Sequence, residues 1–215
     1  SFTCTLFFPM TGKTSFETVR TEKEILDLFQ SQFPDSIKLM PNLVEEFQNN
    51  PIGDLASVYC KPWHWEDKAL LIGDAAHAVV PFFGQGMNAS FQDCSTLAKL
   101  MGQNENDWKT IFNAFSSVQV ENGHAIADMA LENYMEMRDH VNDPEYKKRR
   151  EMELKLERMF PGQFIPRYSM VSFHQIPYAE VYQRGERQFN IIGDVLKADP
   201  SGQSIDIAMV EKMLS

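Results

Sequence analysis

The chain has 215 residues, 43% of them hydrophobic, which is enough to bury one good core or two modest ones. Its 30 acidic residues outnumber its 20 basic ones, giving a formal net charge of −10 at pH 7. This acidic balance opposes binding to nucleic acid or to an anionic membrane surface. No apolar run approaches the roughly 18 to 20 residues that cross a bilayer, so the sequence predicts no membrane span.

Cysteine and histidine spacing excludes further kinds of site. Cys4, Cys60 and Cys94 lie far apart without a CxxC pair, and their odd number argues against a disulfide framework. A reducing, intracellular compartment is therefore favoured. The five histidines show no HxxxH or Cys/His spacing, so no metal site is expected. The sequence also lacks the G-x-S-x-G motif of a serine hydrolase.

The beginning of the chain predicts a strand followed by a helix. Residues 1–8 start without Met and are rich in aromatic and β-branched side chains, as though the strand had been cut from a larger sheet. Thr21 and Glu24 then have the spacing of a capping box, which predicts a helix that continues to Pro34.

The next segment predicts two more strands. Residues 55–60 and 69–72 are bounded by turn-forming residues, and a turn is expected between them at residues 62–65. Residues 1–72 are thus expected to form an α+β segment.

The rest of the chain predicts helices. Apolar residues recur at helical spacing after Gly86, and Asp143-Pro144 has the pattern of an N-cap followed by Pro in the first turn. The predicted helices cover the stretch that starts at Gly86, residues 107–120, residues 123–140, residues 144–160 and residues 177–198. The predicted fold class is therefore α+β, with strands in the first part and helices in the last.

Residues 69–91 carry the most informative pattern. A strand leads into Gly73 and Asp74, a loop follows, and a Gly-Gln-Gly triplet at residues 84–86 opens a helix without a bulky side chain at its start. Asp74 could accept hydrogen bonds from a sugar-like hydroxyl, and the bare N–H groups of the first helical turn could bind a carbonyl or an anion. This arrangement suits a large, flat cofactor.

Two shorter glycine motifs do not carry a function by themselves. Residues 84–89 fit the G-x-G-x-x-A pattern of dinucleotide folds, but no βαβ unit surrounds them, so a pyrophosphate loop is not predicted. Residues 12–14, Gly-Lys-Thr, imitate the end of a P-loop, yet Phe7 stands where the first glycine is required.

The string from Gly73-Asp74 to Asn88 resembles the second flavin-binding motif of the FAD-dependent aromatic hydroxylases. Its Pro-Phe-Phe-Gly-Gln-Gly-Met-Asn segment is most similar to members that act on kynurenine. The resemblance implies part of a substrate-binding α+β domain in residues 1–68, a second FAD-binding segment in residues 69–104 and a C-terminal helical region in residues 105–215. It also implies that the N-terminal Rossmann-like half of such an enzyme is absent from these 215 residues.

The resemblance also implies site residues. Those expected to bind the cofactor are Gly73, Asp74, Pro81, Gly84, Gly86, Met87 and Asn88. Those expected to bind the substrate are Phe82, Phe83, Gln85, Asn133 and Tyr168, where Asn133 and Tyr168 would contact the amino acid group. No catalytic side chain is expected, because the cofactor carries the redox chemistry.

The reaction that the resemblance implies is hydroxylation of L-kynurenine to 3-hydroxykynurenine in tryptophan degradation. FAD would be the cofactor, NADPH and O₂ the co-substrates, and a flavin C4a-hydroperoxide the oxygen donor. The missing N-terminal half would be a partner, and family resemblance alone implies the mitochondrial outer membrane. Two alternatives stay open: a sister flavin hydroxylase or epoxidase with another aromatic or lipid substrate, and a non-catalytic helical interaction module.

Overall fold

The computed structural model describes residues 3–105, 107–140 and 143–214. The chain divides into two compact units, Ser1–Asp54 and Leu55–Ser215. The described part is mostly helical and contains one two-stranded sheet, so helix and strand are both present but with far less strand than the sequence predicts. The expected division at residues 68 and 104 stays a prediction.

The first unit is built on the predicted capping box. Thr21 Oγ1 accepts a hydrogen bond from the Glu24 N–H at 3.3 Å, and Glu24 Oε2 accepts one from the Thr21 N–H at 2.9 Å. Helix α1 (Glu22–Gln32) therefore begins as predicted, and it ends at Phe33, directly before a proline that cannot continue it. A short 3₁₀ helix (Ile37–Leu39) and α2 (Leu43–Asn49) follow. The core of this unit consists of Val19, Ile25, Phe29 and Leu43.

The opening strand predicted for residues 1–8 is wrong for its described part, residues 3–8, which have no regular secondary structure. A strand exists through its backbone hydrogen bonds to a neighbour, and no described segment pairs with these residues. The Phe8 ring instead packs edge-to-face against Phe16, with 5.1 Å between ring centroids. Phe8, one of the aromatic residues that predicted a strand, thus packs against the core of the first unit.

The sheet of the second unit is small and lies partly where a turn was predicted. β1 (His64–Trp65) and β2 (Ala69–Leu70) pair antiparallel, and the Lys68 N–H donates to the Trp65 carbonyl at 3.1 Å to close the turn between them. β2 covers only the first half of the strand predicted at residues 69–72.

The strand predicted at residues 55–60 is wrong. This segment is held by an isolated backbone hydrogen bond, from the Val58 N–H to the Ala78 carbonyl at 2.8 Å, and not by a ladder. A β-rich composition favours a strand only where a second strand is available to pair with it.

Helices make up the rest of the second unit. They are α3 (Asp74–His77), a 3₁₀ helix (Pro81–Phe83), α4 (Gly86–Gln103), α5 (Trp108–Met135), which continues into a π-helical turn (Glu136–His140), α6 (Pro144–Met159), α7 (Arg167–Phe173), α8 (Tyr178–Ala198) and α9 (Ile207–Leu214). The helix starts predicted at Gly86, Pro144 and residue 177 are confirmed to within one residue. The stretches 107–120 and 123–140 form one continuous helix, while α7 and α9 were not predicted.

Helix α5 is central to the second unit and packs against α4, α8 and the 3₁₀ helix. Its fully buried side chains include Ile111, Phe115, Ile126 and Met129. Trp63 is also fully buried, and it lies against Gly123 of α5, where a Cβ atom would come 2.6 Å from the Trp63 ring. This glycine therefore allows the indole and the helix backbone to approach closely. No helix among the described residues has the length and apolar character of a membrane span.

The Gly123→Ala substitution tests this close approach. Overpacking against the Trp63 indole should lower the free energy of unfolding by about 1 to 3 kcal/mol, even though alanine favours a helix. The matched control is Gly102→Ala in α4, because a Cβ atom there has nothing within 4 Å. That control should be neutral or stabilising by up to about 1 kcal/mol. Denaturant unfolding of both variants is the measurement, and equal effects would contradict the packing argument.

Candidate functional site

The turn at Gly73-Asp74 is fixed by its backbone conformation. Gly73 has φ of +59° and ψ of −145°, which disfavours any residue with a side chain, and an added Cβ would lie 3.1 Å from Ser90 Oγ. Asp74 follows as the first residue of α3, with its side chain exposed. None of the hydrogen bonds found among the described residues uses the Asp74 carboxylate, so it is free to bind a ligand.

The second glycine segment brings the start of α4 to the surface. The 3₁₀ helix begins at Pro81 and ends at Gly84, whose φ of +68° is left-handed. The N–H groups of residues 86–88, in the first turn of α4, have no acceptor within the helix. Met87 is 68% exposed and Asn88 is exposed as well. The turn therefore presents backbone donors to its surroundings.

Gln85 lies beneath this helix start and is buried. Its Oε1 accepts hydrogen bonds from Asn88 Nδ2 at 3.0 Å and from the Tyr178 hydroxyl at 3.1 Å. Gln85, which was predicted to contact the substrate, thus makes its described contacts within the protein and links the start of α4 to α8.

The predicted substrate residues from three distant segments come together. Asn133 of α5 donates from Nδ2 to the Phe82 carbonyl at 2.8 Å. The Phe83 ring stacks on Tyr168 of α7, with 5.9 Å between centroids and 27° between planes. Tyr168 is 53% exposed and also makes an edge contact with Phe173. The 3₁₀ helix at residues 81–83 is therefore held by both residues that the resemblance assigns to the amino acid group.

An ion-pair cluster lies directly beside these two residues. Arg167, which precedes Tyr168, pairs with Glu132 of α5 and, at 2.6 Å, with Glu186 of α8. Burial alone would lower the pKa of Arg167, but the two carboxylates outweigh it, so the pKa is raised. Burial, together with a hydrogen bond to Glu132, raises the pKa of Tyr182 to about 12. The cluster joins α5, α7 and α8 next to the predicted substrate contacts.

Sequence reasoning missed a buried carboxylate behind the Gly73-Asp74 turn. Asp93 of α4 is 2% exposed and accepts three hydrogen bonds: from the Gly73 N–H at 2.8 Å, from Gln119 Nε2 at 2.8 Å and from His77 Nε2 at 2.6 Å. A signal for it exists in the sequence, because Asp93 lies one helical turn after buried Ala89, on the helix face that is otherwise apolar.

His77 was expected to be a loop residue near the cofactor motif, and it lies on α3 in the protein interior. Its ring stacks on Trp63, with 4.9 Å between centroids. Among the side chains that the structure describes, no group of three or more His, Cys, Asp or Glu could hold a metal ion.

Known proteins similar to this chain are flavoproteins by name or by matched family. Residues 11–110 match the family described as "FAD binding domain". Kynurenine 3-monooxygenase of Myxococcus xanthus is 43% identical over 214 residues, covering 100% of this chain and 46% of that protein. The chain is therefore similar over its whole length to kynurenine 3-monooxygenase.

Two further relatives agree. The kynurenine 3-monooxygenase of Flavobacterium johnsoniae is 42% identical over 199 residues, covering 93% of this chain and 45% of that protein. That of Xanthomonas euvesicatoria is 42% identical over 214 residues, covering 100% and 47%. The chain thus spans about half the length of the curated relatives it matches. The family resemblance is confirmed, whereas the roles of individual site residues stay predictions.

Replacing Arg167 by Met tests the ion-pair cluster. It removes the cation shared by Glu132 and Glu186, so the free energy of unfolding should fall by roughly 1.5 to 3 kcal/mol. The control is Lys197→Met, whose side chain is 82% exposed and pairs with Asp194 at 3.3 Å. Exposed pairs contribute little, so the control should change stability by less than about 0.5 kcal/mol. Denaturant unfolding gives both values, and an Arg167 variant as stable as the control would refute a structural role.

Proposed function

We propose that this chain supplies one side of the FAD site and part of the substrate pocket of a monooxygenase that converts L-kynurenine to 3-hydroxykynurenine. The observation that carries the proposal is the convergence of Phe82 and Phe83, Asn133 and Tyr168 next to the start of α4. These segments are far apart in sequence, and the family resemblance assigns all of them to one pocket. The curated relatives named kynurenine 3-monooxygenase give the reaction.

The residues around the two glycine turns fit one edge of FAD. The free carboxylate of Asp74 can accept hydrogen bonds from hydroxyls of the ribityl chain, since carboxylates are strong acceptors. The N–H groups at the start of α4 can donate to carbonyl oxygens or an anionic nitrogen of the flavin pyrimidine edge. Gly84 and Gly86 add no side chain that would keep the ring away. The match of residues 11–110 to an FAD binding domain supports the same cofactor.

The substrate would lie against the aromatic rings, with its amino acid group towards Asn133 and Tyr168. Asn133 already uses its NH₂ group on the Phe82 carbonyl, so its Oδ1 is the atom left to accept from the substrate ammonium. The Tyr168 hydroxyl can donate to the substrate carboxylate. Phe82 and Phe83 provide apolar area for the kynurenine ring.

The division of labour between protein and cofactor follows from this arrangement. FAD, when bound and reduced by NADPH, would activate O₂, of which one atom would enter the substrate ring and the other would leave as water. The side chains of this chain orient the ring and keep water from the reacting atoms. No acid or base of the protein is assigned to the oxygen transfer.

The remaining parts of the enzyme lie outside this chain in our proposal. A second, N-terminal half would provide the donors for the pyrophosphate of FAD and, beside the Tyr168 hydroxyl, a further donor for the substrate carboxylate. The relatives compared above are bacterial, so they lend no support to the mitochondrial outer membrane that the resemblance implied.

Asp74→Ala in the intact enzyme tests the cofactor assignment. The variant loses a charge-assisted hydrogen bond of roughly 1.5 to 3 kcal/mol, which corresponds to about 10- to 150-fold weaker FAD binding. Asp194→Ala is the control. Asp194 is a partly exposed carboxylate that lies on α8, 16 residues after Tyr178 and thus about 24 Å along the helix. FAD titration of the apoprotein is the measurement, and unchanged affinity in the Asp74 variant would rule out this contact.

Tyr168→Phe tests the substrate assignment because it keeps the stacking ring and deletes only the hydroxyl. The Kd for kynurenine should rise about 5- to 30-fold, equivalent to roughly 1 to 2 kcal/mol, while FAD content stays unchanged. Hydrogen peroxide per NADPH consumed should also increase, since a loosely held ring lets the activated oxygen decay before transfer.

The comparison variants for this test are Asn133→Ala and Tyr59→Phe. Asn133→Ala should weaken kynurenine binding as well. Tyr59→Phe deletes a hydroxyl that donates to Asp128 at 2.7 Å and not to a proposed pocket residue, so it should leave kynurenine binding unchanged. If a panel of other aromatic compounds stimulated NADPH oxidation and kynurenine did not, the substrate would belong to a sister hydroxylase.

A further inference from the structure

A chain of buried polar groups joins the two segments that we assign to the cofactor. One end is the Gly73 N–H, which donates to Asp93 at 2.8 Å. The other end is Asn88 Nδ2, which donates to Gln85 at 3.0 Å. The two ends flank the proposed FAD edge on separate elements, the turn before α3 and the first turn of α4.

Side chains from α4, α5 and α8 fill the interval. In order, Gln119 Nε2 donates to Asp93 Oδ1 at 2.8 Å, Asn122 Nδ2 donates to Gln119 Oε1 at 3.0 Å, the Ala179 N–H donates to Asn122 Oδ1 at 3.0 Å, and the Tyr178 hydroxyl donates to Gln85 Oε1 at 3.1 Å. Tyr178 and Ala179 are neighbours in α8, so the protein backbone, and not a hydrogen bond, connects the Ala179 N–H to the Tyr178 side chain. The side chains in this list, with those of Asp93 and Gln85, are buried.

The direction of each hydrogen bond is dictated by its neighbour. A carboxylate only accepts, so Gln119 must present its NH₂ group to Asp93 and its oxygen to Asn122. Asn122 must then present its oxygen to the Ala179 N–H, which only donates. Burial raises the pKa of Tyr178 and the negative charge of Asp93 adds to this, so the hydroxyl keeps the proton that it donates to Gln85 Oε1. Between Asp93 and the Ala179 N–H the chain therefore has one arrangement.

We propose that Asp93 is a positioning residue that fixes Asp74 relative to the start of α4 through this polar chain. The inference rests on the proposed function, because it supposes that Asp74 and the first turn of α4 bind one FAD molecule. Asp93 touches neither cofactor nor substrate in this account. It acts by holding the N–H of Gly73, the residue that precedes Asp74, and by orienting Gln119.

The Asp93→Asn variant breaks the chain while keeping its size. If the new NH₂ group takes the place of Oδ2, it meets the Gly73 N–H, a donor that cannot reverse. If it takes the place of Oδ1, Gln119 and then Asn122 can flip, but the flipped Asn122 brings its NH₂ group against the Ala179 N–H. Both arrangements leave two donors opposed, which destabilises a buried site.

The test is a double-mutant cycle on FAD affinity in the intact enzyme. Asp93→Asn should weaken FAD binding about 10-fold when Asp74 is present, because the turn that carries the carboxylate loses its anchor. In the Asp74→Ala background the same change should matter less than about 3-fold, since two residues that act through one contact are not additive. An equal factor in both backgrounds, or no effect in either, would overturn the proposal.

Tyr178→Phe provides a second variant that keeps the aromatic volume and removes one hydroxyl at the far end of the chain. It should weaken FAD binding about 5-fold by releasing Gln85 from α8. Tyr59→Phe, the matched control, should leave FAD affinity unchanged. If Asp93→Asn does not fold, Tyr178→Phe carries the test, and wild-type FAD affinity in that variant contradicts the role of the chain.

The same variants distinguish the proposed cofactor site from the positioning role of Asp93. If Asp74→Ala itself leaves FAD affinity unchanged, the proposed cofactor site is wrong. If Asp74→Ala weakens FAD binding while Asp93→Asn and Tyr178→Phe do not, the cofactor site stands and the positioning role is wrong.

Discussion

The packing of α3, α4 and α5 in the second unit depends on the three hydrogen bonds that the Asp93 carboxylate accepts. An ion in the protein interior destabilises the fold by several kcal/mol unless donors replace its water. Here three donors do so, from the turn before α3, from α3 itself and from α5. Because all three must reach one carboxylate, the positions of α3, α4 and α5 relative to one another are fixed. The same requirement explains why Gly73 adopts a conformation that points its N–H inward.

The side chains of Asp93 and His77 behind the turn are buried, whereas aromatic side chains at the candidate site are exposed. The rings of Phe83, Tyr168 and Phe173 contact one another in series, and Tyr168 and Phe173 are exposed. Exposed apolar surface of this kind commonly marks a place where a ligand or another part of a protein binds. The chain spans about half the length of its relatives, which is consistent with further protein covering these rings.

Local signals in the sequence predicted the helix starts. Whether a segment forms a strand depends on a pairing partner elsewhere in the chain, which such signals do not show. The capping box at Thr21 and the N-cap at Asp143 act within one turn, so both helix starts could be read directly. Residues 3–8 and 55–60 have β-rich composition, but a strand needs a partner, and sequence composition does not say whether one is present. Strand predictions therefore failed where helix predictions held.

Some site residues likewise have a local signal in the sequence, and others do not. The glycine turns could be found because a positive φ at Gly73 and Gly84 leaves a direct mark on the sequence. Asn133 could be placed near Phe82 only through family resemblance, since its partner is a backbone carbonyl that carries no sequence signal. The role of Asp93 could not be recognised from the sequence, because its three donors come from separate elements that only the fold brings together.

Amide hydrogen exchange of the intact enzyme, with and without FAD, tests the central claim most directly. The N–H groups of residues 86–88 have no acceptor within α4, so a bound ligand that accepts from them should slow their exchange. Our account predicts that FAD slows exchange at residues 86–88, with no change in α6 (Pro144–Met159). Unchanged exchange at residues 86–88, with FAD protecting other parts of the enzyme, would contradict it.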